Sequence, residues 1–396
     1  MTNALMTLRK EVVVIGLGAM GAAALYQLAK YGSDVLGIDR YTPPHSMGSS
    51  HGASRVTREA VGEGPAYVPL VRRTHAIAQE LEEKYGRPIL IKSGTLIIGS
   101  PMQGNTPLHG ADDFLAASIE MAEKFDIKHE LLDAAEIKAR FPQFLKIKDT
   151  DRGYFEPDSG YLIPETLIDV QLKAAEEYGA EILLNTSVEK VTQVGEEVHI
   201  SFGDTLVIAK KVVVCAGAWT RKLLGAPLDK ILTVTRQTIH WYAADDYSLY
   251  TPDKYPAFIW FVTDKLEDYF TGFPCTNPEE GVKMVASRDA PDFDHEGMNP
   301  KAEIEESEYF YNRHVRDSIL GVKETIKNNA TCIYTNTPDN GFIIDTLPTM
   351  DNVVVVSACS GHGFKHSAGI GEAVAQWVCE GQSRTDLSAF SLKRFL

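Results

Sequence analysis

Short runs of β-branched residues alternate with helical stretches at the start of the chain. The run Val12–Ile15 is too short for a buried helix and is typical of an interior parallel strand. Helix-forming residues follow from Ala19 to Tyr31, and Gly32 stands where a helix-ending glycine is expected. A second β-type run, Val35–Ile38, ends at Asp39. Strand, helix and strand within about 30 residues predict one βαβ unit.

The same alternation returns in the middle and at the end of the chain. Apolar positions that share one helical face predict a helix around Leu70 to Leu81 and another around Leu167 to Ala174. Three further buried-type strands and a last helix are predicted at 182–184, 211–214, 353–356 and 367–379.

A glycine pattern joins the first strand to the first helix. Gly16, Gly18 and Gly21 fit GxGxxG, in which the glycines allow a tight turn, the approach of a pyrophosphate and close helix–strand packing. The anion would lie at the helix N-terminus, and Asp39 is placed to bind ribose hydroxyls. The alternative is a purely structural turn. The acid at Asp39 disfavours NADP, whereas NAD and FAD both stay open at this point.

The parallel-strand signatures are separated by sequence of a different kind. Residues 91–149 and 226–325 alternate polar and apolar positions and carry more turns. We therefore expect a discontinuous cofactor domain interrupted by a substrate domain. The predicted boundaries are 1–90, 150–225 and 326–396 for the first domain and 91–149 and 226–325 for the second.

Length and charge narrow the class of protein. At 396 residues the chain is long for one hydrophobic core, and its formal net charge of -15 disfavours nucleic acid as a partner. Its five cysteines include no CxxC pair, so neither a disulfide framework nor a zinc site is predicted, and residue spacing indicates no other metal site. We see no apolar run long enough to span a membrane and expect a cytoplasmic protein.

Several separated motifs resemble the family of monomeric sarcosine oxidase and N-methyltryptophan oxidase. They occur in the family's order, from about residue 10 to the end of the chain: Pro43-Pro44-His45, Gly48–Arg55, Arg58, Tyr67–Leu70, Cys332–Asp339, Phe342–Asp345 and Ser360–Lys365. The resemblance implies an α/β fold with a discontinuous FAD-binding Rossmann-type domain and a smaller α+β substrate domain on a mainly antiparallel sheet. It also implies a monomeric FAD-dependent oxidase of a secondary or N-methylated amino acid.

In such an enzyme a hydride passes from the amine C–H to the flavin, and O2 is then reduced to H2O2. By the resemblance, Cys332 carries the flavin through a thioether; the alternative is a buried strand cysteine that acts as a small hydrophobe. For Cys215, Cys359 and Cys379 we prefer that alternative.

The resemblance also implies which positions bind FAD. They are Gly16, Gly18, Ala19, Met20, Gly21, Asp39, Arg40, His45, Ser50, His51, Arg55, Val188, Ala216, Gly217, Trp219, Cys332, Gly361, His362, Gly363, Phe364 and Lys365.

The resemblance also implies roles for cations in the chemistry. Arg58 and Lys365 match the family's pair that grips the substrate carboxylate, and Lys283 matches its oxygen-activating lysine. His51 and Arg55 match positions close to the flavin ring. The alternatives are that the pair consists of ordinary surface cations and that Lys283 faces solvent from a strand.

Three departures from the family pattern concern the substrate pocket and the loop after His51. Thr271 and Ser287 stand where sarcosine oxidases usually place a tyrosine and a histidine, and Gly52-Ala53-Ser54 replaces the usual Gly-Asp-Thr. The first two changes favour a larger or cyclic secondary amine, or another N-substituted amino acid, over sarcosine.

Three alternative functions stay open. The same fold could serve a dehydrogenase that uses a non-oxygen acceptor, or the chain could be a flavin-free NAD-binding protein. A tRNA-modifying flavoprotein is disfavoured by the acidic balance of the chain.

Overall fold

The computed structural model describes residues 6–100, 108–109, 111, 113–263, 265, 268–287 and 290–396. Parts of the predicted ranges 1–90, 91–149 and 226–325 therefore lie outside the described residues. No helix within the described ranges is long and apolar enough to cross a membrane.

The strands of the described residues, in chain order, are β1 (Met6–Ile15), β2 (Val35–Ile38), β3 (Arg55–Thr57), β4 (Leu90–Ile91), β5 (Thr95–Gly99), β6 (Glu130–Asp133), β7 (Arg152–Glu156), β8 (Gly160–Leu162), β9 (Glu181–Leu183), β10 (Lys190–Val194), β11 (Glu197–Phe202), β12 (Thr205–Val214), β13 (Thr233–Ala244), β14 (Ala257–Phe261), β15 (Tyr269–Gly272), β16 (Val282–Val285), β17 (Val322–Asn336), β18 (Ile343–Leu347) and β19 (Met350–Ser357). The α-helices are α1 (Ala19–Lys30), α2 (Val68–Tyr85), α3 (Phe114–Lys124), α4 (Ala134–Arg140), α5 (Pro164–Glu177), α6 (Thr220–Leu224), α7 (Leu228–Ile231), α8 (Ile304–Phe310) and α9 (Ser367–Glu380).

The first large sheet is built on the predicted βαβ unit. Its strand order is β10-β11-β12-β1-β2-β9, with β19 paired to β12 and β18 paired to β19. The pairs β1–β2, β1–β12, β2–β9 and β12–β19 are all parallel, as expected from the continuous apolar runs. Helix α1 packs against α5 and α9, and Gly32 follows it with a φ of 82°. The predicted Rossmann-type layer is confirmed.

The second large sheet has the order β17-β13-β16-β15-β14-β5-β7-β6. Every pair in it is antiparallel except β5–β14. Aromatic residues fill its own core, with Trp260, Phe258 and Phe270 fully buried. The predicted α/β fold with a mainly antiparallel second sheet is therefore confirmed.

Strand β7 and the larger part of β17 belong to the second sheet, although they lie in ranges that the predicted boundaries give to the cofactor domain. The boundaries themselves stay a prediction. The strands β3, β8 and β4 form a small third sheet. Residues at the ends of β1, β12 and β19 and residues of β14, β15 and β17 line one common cavity.

Candidate active site

A cavity of about 540 Å³ lies between the two large sheets. Its size is within the range of small-molecule sites. Most positions predicted to bind the cofactor line it: Gly16, Gly18, Ala19, Met20, Asp39, Arg40, His45, Ser50, Arg55, Val188, Ala216, Gly217, Trp219, Gly361, His362, Gly363, Phe364 and Lys365. Segments that are far apart in the sequence therefore converge on one cleft.

The glycine loop gives this cavity an anion-binding end. Gly16 has a φ of 87°, and a Cβ at Gly21 would overlap the carbonyl oxygen of Gly16. Gly18, the N-cap residue of α1, has no side chain to cap the helix, and the first turn holds no acidic residue. Among the described residues, Oγ of Ser50 accepts from the Ala19 N–H at 3.4 Å. The N–H groups at this helix N-terminus and the helix dipole thus favour a phosphate.

Asp39 is fixed beside the glycine loop. Its carboxylate accepts hydrogen bonds from the backbone N–H of Leu17 at 2.6 Å and of Tyr41 at 2.7 Å, and it is buried. The next residue, Arg40, stacks over Trp219 at 5.8 Å from the ring centroid and pairs with Glu296 across the cavity mouth. This end of the cavity can hold a ribose and an adenine.

Four of the predicted site residues do not line the cavity: Gly21, His51, Lys283 and Cys332. Lys283 on β16 is 3% exposed, so the solvent-facing alternative is wrong. Its Nζ donates to the carbonyl oxygens of Gly52 and Ser54, both at 2.7 Å, because the loop after His51 folds over it. Burial, with Arg55 nearby, lowers the pKa of Lys283 well below its usual value.

The loop that carries His51 and Arg55 is held from its other side by a carboxylate. Glu165, at the start of α5, accepts from the backbone N–H of Gly52 at 2.6 Å and of Ala53 at 3.1 Å. Burial, together with Arg55 and Lys283, lowers the pKa of His51 to about 3, so its imidazole is neutral at physiological pH.

Two thiols flank Ser49 at the cavity. Cys332 on β17 lies 3.9 Å from the carbonyl oxygen of Ser49 and 3.9 Å from Nη2 of Arg55, and burial raises the pKa of its thiol. Cys359 lines the cavity, half-buried, with its sulfur 3.9 Å from Oγ of Ser49. Cys379 is exposed and Cys215 is buried. The expectation of a buried apolar role is therefore wrong for Cys359, which faces a cleft, and for Cys379, which lies on the surface of α9.

The predicted carboxylate-binding pair is brought together at the cavity wall. Arg58 and Lys365 are each 3% exposed, so they are not surface cations. Both contact the carboxylate of Glu63: Nη2 of Arg58 lies 3.0 Å from Oε2, and Nζ of Lys365 lies 3.2 Å from Oε1. Burial lowers the pKa of Lys365 to about 8, against the opposing effect of Glu63.

The two substrate-pocket positions that depart from the family pattern face the same cavity. Thr271 on β15 and Ser287 after β16 both line it, with short side chains. The hydroxyls of Ser287 and Tyr334 lie 3.3 Å apart, and the Ser287 N–H donates to the hydroxyl oxygen of Tyr269 at 3.0 Å. Two tyrosines thus supply polar groups beside Ser287.

Three residues of the site escaped the sequence analysis. Glu63 and His109 line the cavity, and Glu165 holds the loop beneath it. Glu63 carries a weak signal, since an acid between two glycines follows Arg58 by five positions. We see no comparable signal for His109 or Glu165.

The chain resembles known proteins over nearly its whole length. Residues 11–377 match the model of the FAD-dependent oxidoreductase family. N-methyl-L-tryptophan oxidase from Escherichia coli (strain SMS-3-5 / SECEC) is 36% identical over 98% of this chain and 100% of its own length. Monomeric sarcosine oxidase from Bacillus sp. (strain B-0618) is 34% identical over 97% of this chain and 96% of its own.

A solved structure supports the fold alone. The structure of NikD, described as an unusual amino acid oxidase essential for nikkomycin biosynthesis, superposes with a TM-score of 0.80 at 22% identity, covering 97% of both chains.

The chain belongs to the FAD-dependent oxidoreductase family. Within that family it stands with the monomeric sarcosine oxidases and N-methyl-L-tryptophan oxidases, as its motifs predict. It is an enzyme that acts on the CH–NH group of its donors, and FAD is its cofactor. The flavin-free NAD-binding alternative is wrong, and the residues present fit FAD: a helix N-terminus with no acidic residue in its first turn for the pyrophosphate and a fixed acid at Asp39 for the ribose.

The affinity of the FAD-loaded protein for acetate should fall at alkaline pH. Lys365 is protonated below a pKa of about 8 and loses its charge above it, so one of the two cations is lost as pH rises. We expect the dissociation constant, measured by calorimetry, to rise about tenfold between pH 7 and pH 9. The Lys365→Arg variant keeps its charge and should show no such rise; an equal rise in that variant would contradict the assignment to Lys365.

Proposed function

We propose that this protein oxidises the C–N bond of a secondary or N-methylated amino acid and reduces O2 to H2O2. The observation that carries the proposal is the buried pair of Arg58 and Lys365 on the wall of the same cavity that the glycine loop closes. Bound FAD supplies the acceptor for the hydride of the amine C–H. The names of the two relatives, which specify N-methylated amino acids, support this choice of donor.

The cation pair would orient the substrate. A guanidinium and an ammonium that hold one carboxylate fix the position of the neighbouring α-carbon, and a fixed approach removes much of the entropic barrier. The ring of Phe114 helps to hold Arg58 in place, because the guanidinium of Arg58 lies over it, 4.8 Å from the ring centroid. Apolar residues of the cavity, such as Ile259 and Val285, would exclude water from the amine end.

The amine end of the pocket would accept more than a methyl group. Thr271 and Ser287 are short and uncharged, and Val285, the cross-strand partner of Thr271, also lines the cavity. This combination supports a larger or cyclic secondary amine as the substrate. The name of the sarcosine oxidase relative supports a monomer, and the cytoplasmic location stays a prediction from the sequence.

Lys283 would assist the transfer of electrons to oxygen. Its amine is buried, and a negative charge that develops nearby raises the pKa of an amine and so favours its protonated form. Its Nζ already donates to Gly52 and Ser54, a set of contacts that would equally suit a structural role in a dehydrogenase with another acceptor. The kinetics of reoxidation separate these two functions.

A substrate panel tests the proposed function. We expect peroxide release with N-methyl and cyclic amino acids, and at least about tenfold lower kcat/KM for sarcosine, because a small substrate leaves the roomy pocket partly empty. Amides of the same amino acids are the control and should react poorly, since they lack the carboxylate. Sarcosine as clearly the best substrate would refute the pocket argument; no peroxide with any amine would refute the oxidase.

Replacing Lys283 by Met should slow the reoxidation of reduced flavin by about 100-fold or more, because a fixed cation near the reacting oxygen is lost. The reduction of the flavin by substrate should change little. Stopped-flow absorbance measures both half-reactions. Lys283→Arg keeps the charge and should retain most of the rate; equal losses in both half-reactions would favour the structural role.

The flavin link through Cys332 stays a proposal and has a matched control in Cys359, since both thiols flank Ser49. After acid denaturation, the yellow colour should remain with the wild-type chain and with Cys359→Ser. It should separate from Cys332→Ser, because only the thioether anchors the ring. Colour that stays with Cys332→Ser and leaves Cys359→Ser would assign the link to the other cysteine.

A further inference from the structure

Glu63 occupies the centre of the site that a substrate carboxylate would use. It lies between Gly62 and Gly64, in the segment that joins β3 to the turn before α2, and its side chain is 1% exposed. One carboxylate oxygen faces Arg58 and the other faces Lys365, at 3.0 and 3.2 Å. A carboxylate of the chain itself thus bridges both cations.

Two histidines complete the surroundings of this carboxylate. Nδ1 of His109 lies 3.4 Å from Oε1 of Glu63, and Nδ1 of His362 lies 3.6 Å from the same oxygen. Burial lowers the pKa of both histidines, so neither adds charge at neutral pH. Burial raises the pKa of Glu63, but Lys365 and Arg58 outweigh that effect and hold it well below its usual value. Two cations and one anion remain, with one net positive charge.

The contact between Glu63 and the cation pair leaves an N–H group of Arg58 without a hydrogen-bond acceptor among the described residues. Glu63 takes a single contact from Arg58, and Nε of Arg58 is buried without a hydrogen-bond partner among the described residues. A guanidinium that is saturated by its counter-ion would instead show a two-point contact, as Arg73 does with Glu372. The Arg58 site is therefore arranged for a second, external carboxylate.

We propose that Glu63 is an internal substitute for the substrate carboxylate, which neutralises Arg58 and Lys365 until a ligand carboxylate takes its place. The inference rests on the proposed function in so far as that function assigns this pair to the substrate. A neutral ligand that dislodged Glu63 would leave two buried cations without an anion, which is unfavourable. Glu63 therefore restricts the site to ligands that bring a carboxylate, and it lowers their apparent affinity by competing with them.

Acetate binding to the FAD-loaded protein tests the proposal. Glu63→Gln keeps the shape of the side chain and removes its charge, so it should bind acetate at least about tenfold more tightly than the wild type. Acetamide, a neutral analogue, should bind equally weakly to both proteins. The measurement is calorimetry at pH 6.5, which is below the pKa of about 8 of Lys365 in the wild type, together with the change that acetate causes in the visible spectrum of the flavin.

Glu59→Gln is the matched control, because Glu59 lies on the same segment but pairs with Arg72 and not with the cavity cations. Its acetate affinity should equal that of the wild type. If Glu63→Gln does not load FAD, Glu63→Asp replaces it; the shorter side chain cannot bridge both cations, and we expect about threefold tighter binding.

Two outcomes overturn the proposal. Equal or weaker acetate binding by the Glu63 variant, with normal flavin content, would make Glu63 a structural counter-ion or an aid to binding. Absence of acetate binding in both proteins would overturn the carboxylate site and the proposed function with it. Tighter acetate binding in Glu63→Gln, without amine oxidation by the wild type, would sink only the proposed function.

Discussion

Arg58 and Lys365 lie where water is nearly excluded, and neither charge is stable there without an anion. Removing one partner of a buried ion pair costs about 3–5 kcal/mol, because the remaining charge stays desolvated. Glu63 meets this requirement in the protein alone. The same requirement gives the site its chemistry, since only another anion can replace Glu63 without leaving the cations unpaired.

The fold creates this constraint by joining distant segments. Arg58 follows the short strand β3, whereas Lys365 precedes α9 near the end of the chain. Helices α2 and α9 pack together, and the Gly369 N–H donates to Oγ1 of Thr74 at 3.0 Å across their contact. The parallel sheet places the glycine loop on one side, and β15 and β16 of the antiparallel sheet close the other side. Each layer supplies part of one cavity.

Local sequence patterns were enough to predict the two sheet layers of the fold. Apolar periodicity and the glycine loop indicate strands and helices directly, and the separated motifs indicate the family because each motif is short and contiguous. The contacts that a side chain makes in the folded protein could not be predicted in this way. Sequence spacing could not show that Lys283 turns inward onto the carbonyl of Gly52, or that Cys359 faces the cavity, because these contacts depend on how two sheets pack. Glu63 was missed for the same reason.

The central claim is that one cavity holds the flavin and, beside it, a carboxylate on Arg58 and Lys365. A crystal structure of the FAD-loaded protein grown with acetate tests it most directly. The account predicts density for the flavin along the glycine loop and for acetate between the two cations, with the Glu63 side chain turned away. Density for acetate elsewhere, or a flavin outside the cavity lined by Gly16 and Gly361, would contradict it.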